Sequence, residues 1–145
     1  MLCAITTLFN SASRLAHYQV FRERLTIPLF TVELALGDQP FLLTPQPNII
    51  QVRSESVLWH KERLLNIGLQ QLPDEFDQVA WLDADISFDR ADWAEQACQQ
   101  LEHFPVLQLF NEVRETNPST GRELHSQGQI IHPGFAWAAR REVLD

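Results

Sequence analysis

Apolar and polar positions alternate along the chain between a strand period and a helix period. Apolar, β-prone runs predict strands at residues 2–9, 29–36, 49–52, 78–82 and 106–110. Apolar residues at helical spacing predict helices at residues 14–25, 57–72 and 90–104. The run at 78–82 is nearly all apolar, which is typical of a strand buried on both faces. Asp89 is the expected N-cap of the helix that follows it.

This alternation of strands and helices predicts the α/β fold class, with a mostly parallel sheet flanked by helices on both faces. No linker or internal repeat divides the sequence, so residues 1–145 are expected to form a single domain. Residues 111–129 are polar and are expected to form a long loop. Residues 140–145 have the pattern of a helix start, so the domain is expected to be short at its C-terminal end.

Charge and hydropathy narrow the classes of partner. The net charge is −8 and no basic cluster could neutralise a nucleic-acid backbone, so no nucleic acid is expected. No apolar run approaches the ~20 residues of a membrane span, and no signal-peptide pattern opens the chain, so a cytoplasmic protein is expected. Cys3 and Cys98 have no metal-like spacing and are expected to be buried, reduced thiols.

Two carboxylates, Asp83 and Asp85, follow the buried strand at 78–82. Side chains two residues apart on an extended chain point the same way, and two like charges that close repel each other. A divalent cation would remove the conflict, because Mg²⁺ binds carboxylates together with substrate phosphates. Open α/β sheets bind ligands at the carboxyl ends of their strands. The pair therefore indicates a metal–phosphate site.

Further polar residues are expected at the same edge of the sheet. Asn10 ends the first strand, Glu33 lies near the end of the second, and Lys61 and Arg63 lie in the first turns of the middle helix. Cationic side chains and helix N-termini both favour phosphate. Together these residues predict a nucleotide pocket, with cations and a metal for the diphosphate and carboxylates or amides for the base and ribose.

The string KERLLNIGLQQLP, followed by DQVAWLDADIS, resembles the segment of GT-A glycosyltransferases in which a helix leads to a DxD motif. It is most similar to the β-1,4-galactosyltransferase and family 2-like group, where basic residues, two leucines, Asn, an aliphatic residue and Gly precede an aliphatic strand. The segments TVELALGDQPF and HPGFAWAARREVL extend the likeness over nearly the whole chain.

The resemblance implies a metal-dependent glycosyltransferase, or its donor-binding part. It would transfer a sugar from a nucleotide-diphosphate donor, expected to be a UDP-sugar, to an acceptor hydroxyl on a glycan, lipid or protein. Asp85 would be the direct ligand of Mn²⁺ or Mg²⁺, and Asp83 would reach the ribose or a metal-bound water. Lys61, Arg63 and Asn66 match donor-side positions, although Asn66 could instead help to pack its helix.

Two departures from the family pattern bear on the site. Asn10 stands where the relatives have an Arg-bearing loop, and that Arg is missing. The family's catalytic base and its third metal ligand, a His, would come after residue 145, so no catalytic residue is assigned. His125 and His132 do not occupy the matching place. Glu33 is a candidate for the base or ribose.

Two other functions remain open. A phosphatase of the haloacid dehalogenase type also has an apolar strand ending in DxD, and Asp83 would then be a nucleophile. That motif normally opens its domain, whereas here it follows some 80 residues of α/β pattern. The third possibility is a non-catalytic remnant that binds a nucleotide sugar without turning it over.

Overall fold

The structure, a computed structural model, describes residues 1–9, 12–56, 58, 60–117, 120, 122–128 and 134–144. The strands among these residues are β1 (Leu2–Phe9), β2 (Leu29–Leu36), β3 (Ile49–Ser54), β4 (Gln78–Leu82), β5 (Val106–Gln108), β6 (Glu112–Thr116), β7 (Glu123–Gly128) and β8 (Ala136–Arg140). The helices are α1 (Ala12–Arg24), α2 (Lys61–Gln70) and α3 (Trp93–Leu101), and a 3₁₀ turn spans Arg141–Val143.

The central sheet has six strands in the order β3-β2-β1-β4-β8-β5. Neighbours among β3, β2, β1 and β4 are parallel, while β8 runs antiparallel to β4 and to β5. The predicted α/β class with a mostly parallel sheet is therefore confirmed. The carboxyl ends of β1, β2 and β4 meet at one edge, as the sequence predicts.

Side chains alternate along each strand, so the apolar strands present apolar side chains on both faces of the sheet. Helices cover both faces. On one face α2 packs against β1 and β2, in a core of Cys3, Ile5, Phe30, Val32, Leu34, Leu64, Leu72, Phe76 and Val79. On the other face α1 packs against β1, and α3 packs against β5 and β8, over a core of Leu2, Ala4, Leu8, Tyr18, Phe21, Leu29, Ala80, Leu82, Ala94, Ala97, Leu101, Ala136 and Ala138. The expected helices on both faces are thus confirmed.

The second and third helices are shorter than predicted. The expected N-cap Asp89 was wrong, because α3 begins at Trp93 and Asp89 instead accepts a hydrogen bond from Arg114 at 2.7 Å. Just before Trp93, the Arg90 guanidinium donates to the Asp92 carboxylate and lowers the pKa of Asp92 to about 2. Within the described ranges, no helix combines the length and the apolar character needed to cross a membrane.

The segment expected to be a long loop, residues 111–129, instead contains the antiparallel hairpin β6–β7. The sequences of both strands are mostly polar, with Val113 and Leu124 as the apolar exceptions, so no apolar face marked the hairpin. The helix expected at residues 140–145 was also wrong. Strand β8 continues to Arg140, and only one 3₁₀ turn follows, at Arg141–Val143.

Both cysteines are free thiols. Cys3 is buried in β1, and burial raises the pKa of its thiol to about 12. Cys98 on α3 is half-buried, and its pKa is also raised by burial. Because the thiolate is the reactive form, this raised pKa keeps Cys3 in its less reactive thiol form at neutral pH.

Glu33 is a buried carboxylate in the centre of β2 and is 0% exposed. It accepts hydrogen bonds from the backbone N–H groups of Leu42 and Leu43 and from the side-chain amide of Gln51 at 3.1 Å. Gln51 also donates to the carbonyl of Leu43 at 2.9 Å. Glu33 therefore ties the irregular segment between β2 and β3 to the sheet.

Gly68 is the point of closest approach between α2 and the sheet. A Cβ atom at this position would lie 2.8 Å from Ile5 Cγ2 and 3.0 Å from Val32 Cγ2. Both methyl groups are branched at Cβ inside the core, so neither can swing away cheaply. The absence of a side chain at Gly68 sets the distance of α2 from β1 and β2.

We expect Gly68→Ala to destabilise the protein. Overpacking a core costs about 1–3 kcal/mol, and a contact of 2.8 Å inside the core favours the upper part of that range, above the gain of about 1 kcal/mol in helix propensity. Urea unfolding followed by circular dichroism measures the change. Asn66→Ala, at an exposed position of the same helix, is the control and should not be destabilised. A Gly68→Ala protein as stable as the parent would contradict the close approach.

We expect Glu33→Gln to lower the free energy of unfolding by about 2–3 kcal/mol, because an amide NH₂ would face groups that are all hydrogen-bond donors. Thermal and urea melts measure the loss. Glu23→Gln, the same change at an exposed position of α1, should leave stability within about 0.5 kcal/mol of the parent. Equal melts for the two variants would rule out the tie between Glu33 and the 42–43 segment.

Candidate functional site

A cavity of about 270 Å³ opens at the carboxyl ends of β1 and β4. Its walls come from the end of β1, the first turns of α1, the start of α2 and the turn after β4. The lining residues are Thr7, Leu8, Phe9, Arg14, His17, Lys61, Asp83, Ala84 and Asp85. The parallel pairing of β1 with β4 places these segments at one edge. The cavity lies where open α/β sheets usually bind ligands.

Asp83 is held by protein groups on both carboxylate oxygens. Lys61 Nζ forms an ion pair with Oδ1, and the side chains of Lys61 and Asp83 are only 20% and 26% exposed. The backbone N–H of Phe135 donates to Oδ2 at 3.1 Å. The N–H of Asp83 donates in turn to the Phe135 carbonyl at 2.8 Å. Asp83 therefore has a fixed orientation and a cationic partner.

Asp85 is in a different environment. The expectation that it shares a strand face with Asp83 was wrong, because β4 ends at Leu82 and Ala84 and Asp85 lie in a turn. Both carboxylates nevertheless line the cavity. Asp85 is exposed, and within the described ranges it has no ion-pair partner. Lys61 meets the negative charge of Asp83.

The cavity offers a divalent cation two carboxylates, those of Asp83 and Asp85. Among the described residues, no group of three or more His, Cys, Asp or Glu side chains could form a closed metal cage. Mg²⁺, however, is commonly held by one or two carboxylates together with substrate phosphates and water. Asp85, with Asp83 beside it on the cavity wall, fits that second arrangement.

Arg14 and His17 are cavity residues that the sequence reasoning missed. Both are exposed on the first turns of α1, three residues apart and therefore on one side of the helix. Arg14 supplies a cation to the wall of the cavity. The available signal was positional, since α1 begins directly after β1 at the ligand-binding edge.

Of the other predicted site residues, those that the structure describes do not line this cavity. Arg63 and Asn66 are exposed positions of α2, and the buried Glu33 is engaged by the 42–43 segment. His125 lies on β7. Asn10 and His132 fall outside the described residues. The structure therefore brings together Lys61, Asp83 and Asp85 from the predicted set.

Comparison with known proteins bears on the fold. No protein-family model and no curated protein matches the chain. It is similar to the 4-diphosphocytidyl-2C-methyl-D-erythritol synthase of Anaerococcus prevotii DSM 20548, with 12% identity and a TM-score of 0.53 over 99% of this chain and 71% of that one. This likeness supports a shared fold.

Two further solved structures are more distant. A protein from Desulfovibrio desulfuricans G20, assigned as a nucleotide-diphospho-sugar transferase, has 14% identity and a TM-score of 0.48 over 97% of this chain and 64% of that one. A variant of Drosophila β-1,4-galactosyltransferase 7, in complex with manganese, UDP-Gal and xylobiose, has 14% identity and a TM-score of 0.42 over 97% of this chain and 49% of that one. The α/β fold class is confirmed, whereas the specific galactosyltransferase group is not.

Proposed function

We propose that this chain binds a nucleotide-diphosphate sugar, with UDP as the nucleotide, and acts as a metal-dependent glycosyltransferase or as its donor-binding part. The observation that carries the proposal is the charge pattern of one cavity. Arg14 and Lys61 line it together with Asp83 and Asp85. Cations suit the phosphates of a donor, and carboxylates suit the Mn²⁺ or Mg²⁺ that accompanies a diphosphate.

The residues have separate roles in this proposal. Arg14, with its planar guanidinium, is suited to bind phosphate oxygens through two parallel hydrogen bonds, while Lys61 acts as a flexible point charge. Asp85 is the carboxylate open to a metal, and Asp83 is held in place beside it by Phe135. When bound, a divalent cation would act as a Lewis acid that stabilises the departing nucleoside diphosphate. The acceptor would be a hydroxyl of a glycan, lipid or protein.

A nucleotidyltransferase is the second candidate, and one observation favours it. The similar structure with a TM-score of 0.53 is a synthase whose name contains a diphosphocytidyl group. The same cations could then hold a nucleoside triphosphate. Titration with CTP beside UDP separates the two candidates by which nucleotide binds more tightly.

The structure bears differently on the phosphatase and on the non-catalytic binding module. A phosphatase would use an Asp83 oxygen as nucleophile, but both oxygens already bind protein groups, and no observation favours that reaction. A non-catalytic binding module predicts the same cavity chemistry. Measurable UDP binding without hydrolysis or transfer of a UDP-sugar would favour it over an enzyme.

We expect UDP to bind at least about tenfold more tightly in the presence of Mn²⁺, and we expect Asp85→Asn to abolish that gain, because the amide removes the charge open to a metal. Isothermal titration calorimetry with and without Mn²⁺ measures both. Asp74→Asn, the same change at an exposed position outside the cavity, is the matched control. An Asp85→Asn protein that keeps the full metal dependence would overturn the proposed metal ligand.

We expect Arg14→Ala to weaken UDP binding by about tenfold, because it removes a charge-assisted contact to phosphate. Arg63→Ala deletes the same charge from a position that does not line the cavity, so its effect should stay within about twofold. Titration of UDP and UMP measures the change, and the loss should be larger for UDP, which has the additional phosphate. Equal losses for Arg14→Ala and Arg63→Ala would place the diphosphate elsewhere.

A further inference from the structure

The ion pair between Lys61 and Asp83 lies on the wall of the cavity. Lys61 Nζ contacts Asp83 Oδ1, and both side chains line the cavity beside Asp85. A divalent cation that drew on Asp83 would have to share this oxygen with an ammonium group. Like charges so close oppose each other, so the lysine and the metal compete for Asp83.

A nucleotide diphosphate changes this competition. Its phosphate oxygens offer Lys61 a second anionic partner within the same cavity. Lysine carries its charge on a flexible four-carbon stem, so the ammonium can move from one anion to another without a backbone change. Asp83 then becomes available to the cation that accompanies the diphosphate.

Asp83 does not depend on Lys61 for its position. The Phe135 N–H donates to its other oxygen at 3.1 Å, and Asp83 N–H returns a bond to the Phe135 carbonyl at 2.8 Å. Phe135 has a φ of 67°, an uncommon conformation for a residue other than glycine. Its ring packs edge-to-face on Phe110, with centroids 5.5 Å apart. The Asp83 carboxylate would therefore keep its position if Lys61 moved away.

We infer that Lys61 is an internal counter-ion that occupies Asp83 until a nucleotide diphosphate arrives, so that the divalent cation and the nucleotide bind cooperatively. The inference rests on the proposed function for the identity of these two ligands. Binding free energies are reciprocally coupled, so UDP must raise the affinity for Mn²⁺ by the same factor by which Mn²⁺ raises the affinity for UDP.

The test is Mn²⁺ binding to the nucleotide-free protein, measured from the electron paramagnetic resonance signal of free Mn²⁺. We expect Lys61→Met to raise the affinity for Mn²⁺ by roughly tenfold, because Asp83 loses its competing cation, and to weaken UDP binding. Arg63→Met removes the same charge from the same helix without touching Asp83. Its effect on Mn²⁺ affinity should stay within about twofold, because exposed charges are screened.

Two further variants keep the test decisive. Lys61→Gln retains a hydrogen-bond donor for Asp83 and should give a smaller gain in Mn²⁺ affinity. This variant replaces Lys61→Met in the test if Lys61→Met unfolds below the assay temperature. Asp83→Asn added to either variant should remove the gain.

Equal Mn²⁺ affinities for the Lys61 and Arg63 variants would overturn the inference, and so would undetectable Mn²⁺ binding by the Lys61 variants at millimolar metal. A parent protein that binds no UDP would overturn the proposed function instead. The two failures are therefore distinguishable.

Discussion

The parallel pairing of β1 with β4 is the constraint on which the site depends. The register Ile5↔Trp81 sets the end of β4 beside the second half of β1, where the Thr6 hydroxyl donates to the Leu82 carbonyl at 2.7 Å. Asp83 is the first residue after the end of β4. The segment after β1 leads into α1, which brings Arg14 to the same place. A change of one residue in this register would turn every side chain of β4 to the opposite face, and the cavity would lose its walls.

The position of Lys61 follows from packing at the other end of α2. Gly68 lets this helix lie close on β1 and β2, and Lys61 is seven residues earlier, about 10 Å along the axis. The ammonium group therefore reaches over the end of β1 to Asp83. The carboxylate pair suggested a need for positive charge, and the fold meets this need first with a lysine. At Asp83 that positive charge comes from a residue of the neighbouring helix α2.

The sequence correctly predicted the strands that are marked by continuous apolar runs. The bounds of β1, β2 and β4 match the predicted residues because these strands are buried on both faces. It missed the hairpin β6–β7, whose polar strands carry no apolar stripe. It placed Glu33 in a ligand site because a polar residue in a buried strand has two explanations, and only the segment folded back over β2 distinguishes them. Arg14 was missed because a helical arginine is usually a solvated side chain.

The antiparallel strand β8 completes the site, and its direction could not be predicted from the local sequence. Because β8 runs against β4, its first residues rather than its last lie beside the carboxyl end of β4, in the register Leu82↔Ala136. This direction lets the Phe135 N–H reach Asp83, 52 residues earlier in the chain. The hairpin β6–β7 lies between β5 and β8 along the chain, and Arg114 ties it to Asp89, beyond the turn that holds Asp85. The reversed strand thus holds the Asp83 carboxylate, whose surroundings the parallel strands alone would leave open.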